Sequence, residues 1–317
     1  MNELTTRASS INRALDQIGD KWCLLILQEV FWNVNTFTAM QEAMGVSRGV
    51  LASRLKWLQS IDCLQQLSER PGSKRMSYHL TQKSMDLYHN ALTMLSWERQ
   101  FHTSPELDNI ELIHSVCGKQ FSPETRCSRC SHSIEHQDVL YSPGPGATKD
   151  LREMKIRRRS TVSANDAPSQ RNLYSNLVNI VGDRWTANVL ALSFHGLRRF
   201  DEFRHALPIA TNTLSDRLKY LVEQGIFEQH KYKANSSRYE YRLTQKGEAT
   251  FPFFMTLLKW GDKWCDQKNK GRPMKLIHKC CGKSLVTEVV CGACGGILKA
   301  HEVKFDSASL AKHYESD

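Results

Sequence analysis

Residues 35–60 read NTFTAMQEAMGVSRGVLASRLKWLQS, and their punctuation decides the fold. A helix starts behind Asn35, Gly45 breaks the chain, and Ser47 is placed to cap a second helix that runs to about Ser60. Two helices joined by a short glycine-containing turn form a helix-turn-helix. At 100° per residue Leu51, Leu55 and Leu58 of the second helix fall on one face and predict its core side. Gly49, Ser53, Lys56 and Ser60 fall opposite. Working outward, residues 10–18 give a short helix ending at Gly19, and Asp20 can cap a helix that carries Trp22, Leu25, Ile26 and Val30. Downstream, LQQLSE and MSYHLT are strand-like runs flanking RPGSKR, whose Pro-Gly marks a hairpin tip. A long helix is expected from about Gln82 to Phe101. Four helices, a β-hairpin and a last helix make a winged helix-turn-helix.

The same text occurs twice. IGDKW (18–22) matches VGDRW (181–185), SRLKWL (53–58) matches DRLKYL (216–221), LTQK (80–83) matches LTQK (243–246), and Trp97 matches Trp260. The offset is 163 residues up to that point and 164 for the LIH-x2-CGK that follows. A 317-residue chain is therefore read as a tandem duplication. The fold class expected is mainly α with small β wings. Residues 1–103 form winged helix-turn-helix copy 1, 104–141 a zinc-ribbon-like tail, and 142–169 a basic flexible linker rich in Pro, Gly, Ser and Arg. Residues 170–267 form copy 2, with its wing tip at KANSSR (233–238), 268–305 its tail, and 306–317 a C-terminal tail.

The first tail contains HSVCGKQFSPETRCSRC (114–130) and the second HKCCGKSLVTEVVCGAC (278–294). Both follow H-x2-C-x9-C-x2-C. The spacing supplies two tight knuckles whose intervening residues are long enough to turn and bring them face to face around one tetrahedral ion. Zinc is the natural candidate, because three cysteines and a histidine form a closed structural set with no open position for catalysis. One site is expected from His114, Cys117, Cys127 and Cys130, and a second from His278, Cys281, Cys291 and Cys294, giving two structural zinc ions per chain. Cys280 beside Cys281 and His132 after Cys130 are the alternative fourth ligands. The first set is the weaker, since Ser131 replaces the glycine that Gly295 supplies after the last knuckle. Cys23, Cys63 and Cys265 belong to neither set and read as small buried apolar residues.

The formal net charge of +10 favours a polyanionic partner. On the outward face of the second helix of each helix-turn-helix, the candidate DNA contacts are Arg48, Gly49, Ala52, Ser53 and Lys56 in copy 1. In copy 2 they are Thr211, Asn212, Ser215 and Lys219. Short polar residues allow approach to base edges while a lysine reaches phosphate. The wings add Arg70, Lys74 and Arg75, and Lys231, Lys233 and Arg238. The linker run Lys155, Arg157, Arg158 and Arg159 is solvated charge that can also reach a minor groove. Asp216 repels phosphate unless it accepts from a cytosine amine or pairs with Arg217. No phosphate-cradling glycine loop, G-x-S-x-G or H-E-x-x-H is present, so an enzyme is not expected. WCLLILQEVFW (22–32), the most apolar run, is too short to span a bilayer, and a cytoplasmic protein is expected. The competing reading is a winged-helix protein-interaction module in which one or both copies no longer read DNA.

IGDKW and VGDRW, SRLKWL and DRLKYL, and LTQK and LTQKG together resemble the HxlR-type winged helix-turn-helix regulators of bacteria. The PGPGA at 143–147 and the cysteine-rich tails are similar to tails on some members. The resemblance implies sequence-specific binding of double-stranded DNA and dimerisation through the terminal helices, either between the two copies as an intramolecular pseudo-dimer or between chains. Many members carry a cysteine just before the first helix that in some senses redox state. Ser9 and Asn172 stand at those positions here. Pro252 matches a proline common in the last helix, and copy 1 has His89 in its place.

Overall fold

The computed structural model describes residues 9–68, 75–108, 110–147, 173–232, 238–266 and 271–306. Copy 1 consists of α1 (Ser10–Ile18), α2 (Lys21–Phe31), α3 (Phe37–Met44), α4 (Arg48–Ser60), β1 (Leu64–Ser68), β2 (Met76–Leu80), α5 (Gln82–Met85) and α6 (Tyr88–Phe101). Its tail holds α7 (Pro105–Asp108), β3 (Glu111–His114), β4 (Lys119–Gln120), β5 (Pro123–Cys127) and β6 (Val139–Pro143). Copy 2 repeats the order with α8 (Ser175–Val181), α9 (Arg184–Ser193), α10 (Phe200–Ala206), α11 (Thr211–Glu223), β7 (Phe227–Lys231), β8 (Tyr239–Leu243), α12 (Gln245–Glu248) and α13 (Phe251–Trp264). Its tail holds β9 (Met274–His278), β10 (Lys283–Ser284), β11 (Thr287–Cys291) and β12 (Val303–Asp306). The chain is mainly helical, with small antiparallel sheets.

The caps explain the helix ends. The Asp20 carboxylate accepts from the N–H groups of Trp22 and Cys23 at the start of α2, Ser47 Oγ accepts from Val50 N–H at the start of α4, and Gly45 ends α3 at φ +60°. Thr36, and not Asn35, caps α3 by accepting from Ala39 N–H. The Asn35 carbonyl instead accepts from Tyr78 N–H at 2.7 Å and ties the wing to the helix-turn-helix. The expected single helix over 82–101 is two, broken at Asp86–Leu87. Copy 2 breaks at the same place, which puts Pro252 in the first turn of α13, where its missing N–H costs no bond. Leu51, Leu55 and Leu58, and their equivalents Leu214, Leu218 and Leu221, are at most 1% exposed.

The two copies are packed about a pseudo-twofold axis through their last helices. Trp97 Nε1 donates to the Lys246 carbonyl at 3.0 Å, and Trp260 Nε1 donates to the Lys83 carbonyl at 2.7 Å. These are the same bond made in both directions, since each residue of one is 163 positions from its match in the other. Asn90 Nδ2 adds bonds to the Phe253 carbonyl and Thr256 Oγ1, both at 3.0 Å. Symmetry fails at Asn90, whose match is Phe253, and again at Glu98. Glu98, 1% exposed, accepts from Leu177 N–H and Asn176 Nδ2 and so caps α8, which has no side-chain cap of its own. The matching position is Gly261, where a Cβ would sit 2.3 Å from the Ser10 carbonyl oxygen, so only glycine lets α13 approach α1 this closely.

The tails are exchanged between copies. β6 of copy 1 adds to β9 and β10, β12 of copy 2 adds to β3 and β4, and β5 pairs with β11. In that last ladder Thr125 faces Val289, 164 residues on, so the axis passes through this pair. Tyr141 on β6 meets His195 at 4.2 Å between ring centroids, and the matching pair, Phe305 on β12 and Trp32, meet at 4.8 Å. The described residues reach into the expected linker as far as Ala147. Gly144 N–H donates to the Pro273 carbonyl and Gly146 N–H to Arg272, and a Cβ on Gly144 would collide with the Arg272 carbonyl. The linker residues Lys155, Arg157, Arg158 and Arg159 lie outside the described residues.

Candidate metal clusters and nucleic-acid face

On α4, Arg48, Gly49, Ala52, Ser53 and Lys56 are all exposed, and on α11 so are Thr211, Asn212, Ser215 and Lys219. The one basic residue of each SRLK or DRLK motif that turns inward is the arginine. Arg54 makes two bonds of 2.9 Å to the Asp20 carboxylate, and Arg217 makes bonds of 3.0 and 3.1 Å to Asp183. The aspartate that caps the second helix thus also anchors the recognition helix. This dual use explains why D-[KR]-W and RLK recur together. Because Arg217 is held by Asp183, Asp216 stays exposed on the outward side without that partner. Lys219 is 3.8 Å from Glu223, and the Asn212 side-chain oxygen accepts from Thr213 N–H. In the wings Arg75, Lys231 and Arg238 are exposed, while Arg70, Lys74 and Lys233 lie outside the described residues.

All eight expected metal ligands cluster, but in the crossed combination. One cluster is His114, Cys117, Cys291 and Cys294, and the other is Cys127, Cys130, His278 and Cys281. The pairing of knuckles within each copy is therefore corrected. The reason is β5. The nine residues between Cys117 and Cys127 do not turn back as a loop. They lead into a five-residue strand ending on Cys127, which at ~3.3 Å per residue carries that cysteine roughly 13–16 Å along the axis ladder and delivers it to the other copy's His278 and Cys281. β11 does the same for Cys291. Each cluster joins a β-hairpin knuckle of one copy to a strand-end knuckle of the other.

The clusters have the dimensions of a metal site. Four donors at ~2.0–2.3 Å in a tetrahedron lie ~3.6 Å apart for N to S and ~3.8 Å for S to S. His114 Nδ1 is 3.6 Å from Cys117 Sγ and 3.4 Å from Cys294 Sγ, and Cys117 Sγ is 4.0 Å from Cys291 Sγ. His278 Nδ1 is 3.3 Å from Cys130 Sγ and 3.9 Å from Cys281 Sγ. Both imidazoles therefore present Nδ1, and Nε2 of His114 lies 3.9 Å from the Glu302 carboxylate, beyond hydrogen-bond reach. Backbone N–H groups turn toward the sulfurs. That of Lys119, with His114 and the neighbouring sulfurs, holds the Cys117 thiol down to about 7. Cys130 receives the His132 N–H, but burial and the sulfurs of Cys127 and Cys281 push it up to about 11. Crowded sulfurs resist ionising together, and a cation among them removes that penalty. The clusters could hold metal ions.

All four knuckles end on a left-handed residue: Gly118 at φ +68°, Ser131 at +61°, Gly282 at +65° and Gly295 at +73°. Its N–H closes a 2.7–2.8 Å bond to the carbonyl of the first ligand in each case. Ser131 is the only one with a side chain, so the weakness expected of copy 1 falls on the cluster of Cys127, Cys130, His278 and Cys281. Cys23, Cys63 and Cys265 are 0%, 0% and 4% exposed, buried as read from the sequence.

The HxlR-like helix-turn-helix model matches residues 17–106 and again 180–269, together more than half of the chain. The chain belongs to the HxlR-like helix-turn-helix family. Among relatives, the HTH-type transcriptional regulator Rv3095 of Mycobacterium tuberculosis is 38% identical over 126 residues, 40% of this chain and 79% of that protein. YvaP of Bacillus subtilis, also an HTH-type transcriptional regulator, is 34% identical over 94 residues, 29% of this chain and 87% of that protein. The crystal structure of PA1607 is 31% identical, covers 40% of this chain and 88% of that one, and superposes with a TM-score of 0.37. In this HxlR-like chain the two matched segments are the two halves of the pseudo-twofold unit. The crossing of the tails is what the sequence did not disclose, because identical spacing in both copies satisfies either pairing. Among the described residues no helix is long and apolar enough to cross a membrane.

Proposed function

We propose that the chain is a sequence-specific, double-stranded-DNA-binding transcriptional regulator of the HxlR type that works as an intramolecular pseudo-dimer. The observation that carries this reading is the pair of recognition helices at equivalent positions about one axis. Each anchors its arginine inward on an aspartate and turns Ser53 and Lys56, or Ser215 and Lys219, to solvent. Arg48 suits the O6 and N7 of guanine, and Asn212 suits the N6 and N7 of adenine. Two unlike readers on one chain imply two unlike half-sites, with the spacing of about one helical turn, ~34–36 Å, usual for paired helix-turn-helix units. The test is selection of sites from random duplexes by the parent, by Arg48→Ala and by Asn212→Ala. Each substitution is expected to cost about 1–3 kcal/mol and to relax base preference in a different half-site. Loss of preference at the same positions in both overturns the two-reader model.

One observation favours a second reading, in which copy 2 holds copy 1 in place and contacts only phosphate. Asp216 stands exposed on α11 while Arg217 is bound to Asp183. An unchanged site preference for Asn212→Ala selects that reading.

The clusters fit two zinc ions, each held by three cysteines and one histidine and each bridging the copies. Zinc in such a closed set supplies no reaction chemistry; it stabilises the tails and the attachment of one copy to the other. The zinc-ribbon-like tails expected from the sequence are then one exchanged pair. A pairing of chains with one another would have to use surfaces other than α6 and α13, which are already engaged with each other.

A further inference from the structure

The two clusters are related by the pseudo-twofold axis, yet they are not equivalent in what surrounds them. Beside Cys130 the exchanged tails bring together His132 from copy 1 and Cys280 from copy 2, and the donor atoms of these three residues lie within 4.8 Å of one another. Both His132 and Cys280 are exposed. At the matching positions of the other cluster stand Gly296 and Val116, which offer no donor. Two independent substitutions, in different copies, thus add a ligand at the same cluster.

The local geometry aims both positions at the metal side. A Cβ on Gly296 would sit 3.3 Å from Cys294 Sγ and 3.4 Å from His114 Cε1, so a side chain there starts directly beside the cluster. The equivalent side chain, His132, is held in place by its ring. Nδ1 lies 3.0 Å from the Cys130 carbonyl, an oxygen that can only accept, so Nδ1 carries the proton and Nε2 keeps its lone pair. A ring N–H given to a carbonyl while the other nitrogen stays free is the arrangement found behind metal-bound histidines. Cys280 occupies the third position of the His278-x-x-Cys281 knuckle, where Val116 is 69% exposed in the other copy. Its thiol is free to approach from solvent.

We propose that His132, Cys280 and Cys130 form a third, solvent-facing metal subsite for a thiophilic ion, with Cys130 bridging it to the buried cluster. Two sulfurs and one imidazole nitrogen suit Zn(II), Cd(II) or Cu(I) and disfavour the hard cations Mg(II) and Ca(II). Being exposed and three-coordinate from protein, it binds more weakly than the buried clusters and exchanges with the surrounding solution. The inference rests on the reading of Cys130 as a ligand of the buried cluster.

The experiment counts Cd(II) ions per full-length chain by native mass spectrometry, with the metal as its own probe. The parent is expected to hold three, the third removed by brief dialysis against a weak chelator. Cys280→Ser and His132→Ala are each expected to hold two. Val116→Cys combined with Gly296→His builds the same three donors at the other cluster and is expected to raise the count to four. Two ions in the parent refute the third subsite and leave the buried clusters standing. Three ions persisting in both loss variants refute it as well. Fewer than two in the parent defeats the cluster reading, and the subsite falls with it.

Discussion

The crossed pairing of the cysteine knuckles can be read out by counting metal in double variants. Cys117 and Cys291 share one cluster, with 4.0 Å between their sulfurs, whereas Cys117 and Cys127 are in different clusters. A serine at a ligand position removes a thiolate from a closed set of four whose complete site is worth an apparent ~10–16 kcal/mol in structural zinc domains, and weakens it accordingly. Cys117→Ser with Cys291→Ser damages one cluster twice and is expected to leave one tightly bound zinc per chain. Cys117→Ser with Cys127→Ser damages both and is expected to leave none. The opposite ranking follows if each copy closed its own site. The assay is elemental analysis of protein purified without added metal, with near-stoichiometric zinc in the parent as its reference. A single zinc remaining in the Cys117/Cys127 variant, and none in the Cys117/Cys291 variant, would refute the exchanged-tail topology.

Three further outcomes follow from particular residues. Ser131→Gly relieves a left-handed residue that the other three knuckles give to glycine, and it is expected to stabilise by about 1 kcal/mol in urea unfolding. Gly261→Ala drives a Cβ against the Ser10 carbonyl and is expected to destabilise by about 1–3 kcal/mol, whereas Gly49→Ala, which meets nothing within 4 Å, is expected to stabilise by up to about 1 kcal/mol. Burial against Tyr141 holds the His195 imidazole down at about 4, so the unfolded chain takes up its proton first as pH falls. Its contribution is whole above pH ~6.5 and is lost by about pH 4, by at most about 3 kcal/mol because the ring is partly exposed. His195→Phe should flatten that part of the stability profile, and an unchanged acid slope counts against the assignment.

What was legible in the sequence is what local chemistry decides. Asp20, Gly45 and Ser47 mark helix ends because a carboxylate, a missing Cβ and a hydroxyl each satisfy a backbone need within a few residues. The leucine stripe of α4 states its buried face without reference to anything outside the helix. The cap of α3 was misplaced by one residue because Asn35 and Thr36 can both cap, and only the wing, which takes the Asn35 carbonyl, decides between them. The break at Asp86–Leu87 was invisible because nothing in the pattern of 82–101 marks it, and the bonds Asp86 receives from Lys263 and Trp264 of the other copy are not its cause, since copy 2 breaks at Ala249–Thr250 without them.

The pairing of the metal ligands is the extreme case of that rule. A duplicated spacing identifies which residues cluster and is silent about which copy supplies each half, since a chain that closes each site internally and one that exchanges its tails have the same list of candidate ligands. The exchange becomes decidable only from β5 and β11, which pair as an antiparallel ladder across the axis with Thr125 against Val289. It also gives the duplication a physical consequence. Two separate chains would meet with an association cost that rises on dilution, whereas tethered copies hold each other at an effective concentration set by the linker. Both candidate clusters draw on both copies, so an ion bound in either would add to the closure of the same interface that Trp97 and Trp260 seal from the helical side. With its two halves fixed together in this way, the chain is free to let them diverge. Arg48 corresponds to Thr211, Val116 to Cys280 and Glu98 to Gly261, differences that a dimer of identical chains could not carry.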